Sequence, residues 1–254
     1  MKRKITKIFA LLLVCCAFVL AGCGDNSVNV NVDGNYQDST TEAFTTYVAQ
    51  VDEDEKLEAS GYQFTLKTDM TGDVETHIVM NGKIIKTKDG ETEKITASFN
   101  TKSTIIVQDS KQELEMNSYI VDNVFYTEVA GIKVKESIEN AYNEDGIGQI
   151  LSMIPNKADI DLMIEQYTKM GNVAIKIAEN GDTVKYLISV SSVSTSGENM
   201  GNSDMYYVFK NGALEGIKIS GTMTMGETSQ TVSIDMQTYN GKIDLPSLDG
   251  YIEA

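Results

Sequence analysis

From Tyr62 onward, apolar and polar residues alternate in short runs broken by turn residues, and this period of two constrains the fold more than any other feature. Phe64 and Leu66 alternate with polar neighbours, as do Ile95, Ala97 and Phe99, then Leu114 and Met116. Successive strand residues point to opposite faces, so such runs read as strands with one buried face. Asn81-Gly82, Asp89-Gly90, Asn100-Thr101-Lys102, Asp109-Ser110-Lys111 and Asp122-Asn123 are expected to be the turns of an antiparallel meander over residues 62–138.

A helical interlude is expected next, over 138–170. Ile147, Ile150, Leu151 and Ile154 share a helical face before Pro155, and Asn156 is placed to cap a second helix carrying Ile160, Met163, Ile164 and Tyr167. Strands return over 172–240, with turns at Asn180-Gly181, Asn211-Gly212 and Gly226-Glu227 and a loop at about Thr195 to Ser203. An earlier helix is expected over 41–57, with Phe44, Tyr47, Val48 and Val51 at helical spacing and Ser39 with Glu42 as a capping box. The chain reads as one α+β domain, 41–254, dominated by antiparallel sheet.

The N-terminus is of another kind. Lys2, Arg3, Lys4 and Lys7 precede an apolar run from Ile8 to Leu20, too short for a bilayer span of about 20 residues and shaped like a secretory signal. It ends Leu20-Ala21-Gly22-Cys23, which resembles the lipobox of bacterial lipoprotein precursors. The resemblance implies a diacylglyceryl group on the Cys23 thiol, cleavage between Gly22 and Cys23, and a domain anchored at the extracytoplasmic face of a cell membrane. Two acyl chains anchor stably where one does not. Cys15 and Cys16 leave with residues 1–22, so the mature chain rests on its core without disulfides. Residues 23–40, rich in Asn, Asp, Ser and Gly, read as a flexible polar tether.

Cleavage removes four of the 21 basic residues and none of the 37 acidic ones, moving the net charge from −16 to −20. So acidic a chain is repelled by phosphate backbones, which argues against nucleic acid. One histidine remains, His77, with neither a G-x-S-x-G elbow nor a phosphate-binding glycine loop in the sequence. Asn29-Val30-Asn31-Val32-Asp33-Gly34 imitates the start of a calcium loop, but its twelfth position is Thr40 where a Glu is needed. The chain is expected to be non-enzymatic, with no cofactor and no metal; the sequence sets no oligomeric state.

Apolar surface is left. Met116, Ile188, Val190, Ile217, Ile219, Met223, Met225, Val232, Ile234 and Met236 fall on inward strand positions. Methionine suits irregular apolar partners, so these ten are the candidate lining of a hydrophobic pocket, with plain core packing as the alternative for each. Signal, polar segment, meander, helical interlude and second meander together resemble the LolA-like lipoprotein-carrier fold, the mycobacterial LppX and LprG lipoproteins, and surface lipoproteins of Gram-positive bacteria. The hairpins Tyr119 to Tyr126 and Tyr207 to Leu214 and the closing Ile243-Asp244-Leu245-Pro246 carry that likeness. It implies a strongly curved antiparallel half-barrel with helices on its concave face and a lipid or other hydrophobic ligand between them. A surface interaction module without cargo is the other reading.

Overall fold

The computed structural model describes residues 27–57, 59–89, 92–108, 110–137, 156–170, 173–191, 201–225 and 227–253. The signal segment, Gly22, Cys23 and the helix expected over 147–154 lie outside them.

One large sheet organises the domain. Its strands are β1 (Gln37–Ser39), β2 (Gly61–Thr71), β3 (Val74–Asp89), β4 (Thr92–Val107), β5 (Ser110–Val121), β6 (Val124–Val129), β7 (Ile132–Ser137), β8 (Val173–Asn180), β9 (Thr183–Val190), β10 (Asn202–Lys210), β11 (Ala213–Met225), β12 (Thr228–Thr238) and β13 (Ile252–Glu253). Their spatial order is β1-β8-β9-β10-β11-β12-β2-β3-β4-β5-β6-β7-β13, an open sheet with β1 and β13 as its edges. Among the described residues only the β13–β7 pair is parallel. The two meanders meet where β12 pairs β2, Met236 opposite Phe64 and Ile234 opposite Leu66. Tight turns close the hairpins where the chain supplies left-handed pairs: Asp122-Asn123, Ala130-Gly131 and Asn211-Gly212 all have positive φ.

Two expected turns are strand interior instead. Asn81 and Gly82 sit mid-β3, and Asn100, Thr101 and Lys102 mid-β4. Gly82 lies between Phe64 and Phe99 on the neighbouring strands, and a Cβ there would meet the Phe64 ring at 2.3 Å. The glycine makes room for two aromatic rings rather than bending the chain. On the opposite face Asn81 accepts a hydrogen bond from the Thr65 hydroxyl at 2.7 Å.

Helices α1 (Thr41–Glu53) and α2 (Lys157–Met170) pack on one face of the sheet, here called the front. Thr40, not Ser39, caps α1: its hydroxyl accepts from the Ala43 N–H at 3.1 Å, while Ser39 is drawn into β1 opposite Ile175. Asn156 caps α2 as its sequence suggests, accepting from the Asp159 N–H at 2.9 Å. No helix among the described residues is long and apolar enough to cross a membrane.

The front face carries two adjoining cores. Under the helices, Phe44, Val48, Val51, Ile160, Ile164 and Tyr167 meet Ile175, Tyr186, Ile188, Tyr207 and Phe209. Phe44 stands 5.1 Å from the Tyr186 ring and 5.3 Å from Tyr207, and Tyr47 stands 5.0 Å from Phe209. The second core, on β2–β5 and β12, is mainly aliphatic, with Leu66, Met80, Ile84, Ile120, Val232 and Ile234 beside the Phe64–Phe99 pair. Ile219 packs against both.

The flexible tether expected over 23–40 is corrected from Ser27 on: this stretch is a strap bound to the back face. The Val28 N–H donates to the Thr65 hydroxyl at 2.7 Å, and the Val30 N–H to Asp235 Oδ1 at 2.9 Å. Both valines are buried. Lys218 clamps the same carboxylate at 3.0 and 3.2 Å. Farther along, Tyr36 meets the Tyr206 ring edge-on and β1 joins β8. Average composition hides two apolar residues set where the sheet presents buried acceptors. The C-terminal segment is bound to the same face: Lys83 sits over the Tyr239 ring, and Tyr251 meets Tyr126 edge-on at 5.2 Å.

Candidate functional site

The front face does not stay closed along its length. Register aligns β2–β5 into rows, beginning with Tyr62, Ile84, Ala97 and Ile120, all buried. Next come Phe64, Gly82, Phe99 and Ser118, then Leu66, Met80, Thr101 and Met116, then Thr68, Ile78, Ser103 and Leu114. Leu114, at the β5 end of that row, is 38% exposed; past one further row, Met70, Thr76, Ile105 and Gln112, Val74 is 44% exposed and its partner Val107 46%. Val74 and Val107 are direct cross-strand partners. Exposed apolar residues are common singly; the Val74–Val107 pair, with Leu114 two rows away on the same face, forms the lip of a candidate site.

The chemistry of this end is neutral. From the Tyr62 row to the lip, the front positions of β2–β5, β11 and β12 include no charged residue, whereas the back positions carry Lys67, Asp69, His77, Lys102, Glu113 and Glu115. Beside the lip, the ends of β10–β12 enclose a cavity of about 30 Å³ lined by Asn202, Ser203, Gly221, Met223, Gln230 and Val232. Val232 is the register partner of Thr68.

The residues expected to line a pocket divide by place. Ile188, Val190 and Ile217 lie in the core under the helices, and Ile188 is fully enclosed. Val232, Ile234 and Met236 belong to the second core, with Ile219 between the two. Met116 and Met223 are half-buried toward the open end. Met225 occupies the last position of β11, and its side chain lies outside the described residues. Sequence reasoning missed Thr68, Ser103, Val74 and Val107. Reading Asn100–Lys102 as a turn broke the alternation that places Ser103 on the front face two residues after Thr101.

Under the helices, burial pushes the Tyr186 phenol up to about 12, with Tyr47 and Glu179 adding to it, and raises Tyr207 as well. Tyr207 donates to Met163 Sδ at 3.9 Å. These are closed-core phenols. On the back face His77 pairs with Asp69 at 2.7 Å, both half exposed. The segment that imitates a calcium loop sits beside Lys185, whose ammonium donates to the Asp33 carbonyl at 2.8 Å and to Asn31 Oδ1 at 3.4 Å. Among the described residues no three His, Cys, Asp or Glu side chains converge as a metal site.

The described residues thus form an open, almost wholly antiparallel sheet with two helices on its front face, which is apolar and opens at one end. Among solved structures it is similar to LprF from Mycobacterium bovis, at 12% identity over 84% of this chain and 100% of that one, with a TM-score of 0.45. A beta-barrel-like protein of domain of unknown function DUF1849 from Brucella abortus matches at 8% identity over 72% of this chain and 99% of that one, with a TM-score of 0.20. At those scores neither likeness bears on function. No family model and no curated protein matches the chain.

Proposed function

We propose that this chain is a non-enzymatic lipoprotein, lipid-anchored through Cys23 at the extracytoplasmic face of a cell membrane, which binds a lipid or other hydrophobic ligand at the open end of its front face. The observation that carries the binding reading is the run of uncharged, mainly apolar rows from the buried Tyr62 row out to the exposed Leu114, Val74 and Val107. An apolar acyl chain laid on that lip removes exposed hydrocarbon from water at about 25 cal/mol per Å². The sequence's resemblance to the LolA-like carriers, which implies a half-barrel with the ligand between sheet and helices, supports this reading.

The anchor rests on Leu20-Ala21-Gly22-Cys23. Because the strap is bound from Val28, only four residues, 24–27, separate Cys23 from the bound strap, a reach of about 17 Å at full extension. The domain then stands close to the bilayer. Mature chain with Cys23→Ser, purified without detergent, should yield co-purifying lipid on solvent extraction and mass spectrometry. Chain that is empty, and that also takes up no lipid from vesicles, sinks the cargo reading in favour of an interaction module.

A further inference from the structure

Two side chains on the front face are out of keeping with a site for plain hydrocarbon. Thr68 is 1% exposed and Ser103 2%, and neither hydroxyl has a hydrogen-bond partner among the described residues. Both belong to the row that ends in the exposed Leu114, two rows inside the Val74–Val107 pair, on either side of Ile78. Ser and Thr ordinarily return such hydroxyls to nearby backbone. An unmet one inside a protein is destabilising, and an apolar residue of the same shape would serve packing better. Thr65, three residues earlier but on the back face, shows the ordinary outcome: it donates to Asn81 and accepts from Val28. The other orphaned buried atoms, Asn100 Oδ1 and Tyr251 Oη, are on the back face, away from the lip.

We infer that Thr68 and Ser103 are specificity residues of the proposed site, and that each is placed to hold a neutral hydrogen-bonding group of the ligand, such as the carbonyl of an acyl ester, two rows inside the Val74–Val107 pair. This rests on the hydrophobic-ligand reading above. The two hydroxyls are separated by two strand spacings, about 10 Å, so each meets a different point of the bound molecule. A neutral group is favoured because the front rows carry no cation, and an unpaired carboxylate brought there loses its hydration without compensation. The polar group is thus buried with the chain rather than left in water at the rim.

The test uses the mature chain with Cys23→Ser, so that no acyl groups of its own compete, and three probes of similar length: ethyl stearate, the hydrocarbon icosane and stearate at pH 8. Each displaces the neutral fluorophore N-phenyl-1-naphthylamine from wild type, Thr68→Val, Ser103→Ala and the double variant. Wild type should hold ethyl stearate most tightly. The double variant should lose about ten-fold for the ester, the 1.4 kcal/mol of one neutral hydrogen bond, with icosane unchanged. Thr68→Val removes an unmet group at constant shape, so its thermal midpoint should hold or rise. Equal affinity of wild type and double variant for the ester overturns the inference, as does an equal loss for ester and hydrocarbon, or stearate binding as tightly as the ester. Failure of wild type to bind any probe overturns the hydrophobic-ligand reading itself.

Discussion

The two cores on the front face use one sheet for different ends. Under α1 and α2 the core is aromatic, interlocked ring against ring, and closed. On β2–β5 and β12 it is aliphatic, includes methionines and buried hydroxyls, and opens at the β2–β3 and β4–β5 turns. Rigid rings packed at 5 Å favour a single arrangement, whereas methionine and aliphatic side chains adapt to varied partners. The closed half holds the sheet, and the open half presents a surface. Back-face segments brace both, the N-terminal strap from β2 across to β8 and the C-terminal segment from Lys83 to Tyr126.

The harshest break of that contrast is Phe44→Ala. It empties the centre of the closed core and should destabilise by about 3–5 kcal/mol in denaturant unfolding, taking ligand binding with it. Asp235→Ala comes next. It leaves Lys218 and the Val30 N–H without their shared acceptor, and a loss of about 2–3 kcal/mol follows. Hydrogen exchange should speed at Val28 and Val30 while the amides under the helices stay protected. Gly82→Ala strikes the other half: the new methyl collides with the Phe64 ring, costing about 1–3 kcal/mol, with the Phe44 cluster intact.

Alkaline titration separates the halves more gradually. Folded Tyr186 keeps its proton to about 12, where an unfolded tyrosine releases it near 10. Between those values the native state binds more protons, so stability is intact below pH 10 and falls as pH rises through that window. Phenolate absorbance should therefore rise first from exposed tyrosines and then cooperatively with unfolding. Smallest in stability is Val107→Thr at the lip: under about 0.5 kcal/mol, with apolar-probe affinity reduced.

Much of the sheet was legible because its alternation is strict and its left-handed turns carry Asn or Gly, as at Asp122-Asn123 and Asn211-Gly212. Helix α2 was legible from Asn156 and its apolar face. Gly82 was misread because glycine marks a turn and a ring-packing gap by the same letter, and only register shows which. The strap was invisible because its stability comes from Thr65 and Asp235, residues 37 and 205 positions away in sequence. The candidate site was half visible. Its methionines stood out, but the lip and the orphaned hydroxyls emerge only when four strands are aligned into rows.

On the proposed reading, ligand enters at the open half. The mature chain with Cys23→Ser has no cysteine, so a single one at Val107 or at Leu162, the latter 50% exposed on α2, can carry an environment-sensitive fluorophore. On adding ethyl stearate, a blue-shifted, saturable response is expected at Val107 and none at Leu162. A response at Leu162 alone, or at neither position while ligand is demonstrably bound, would contradict it.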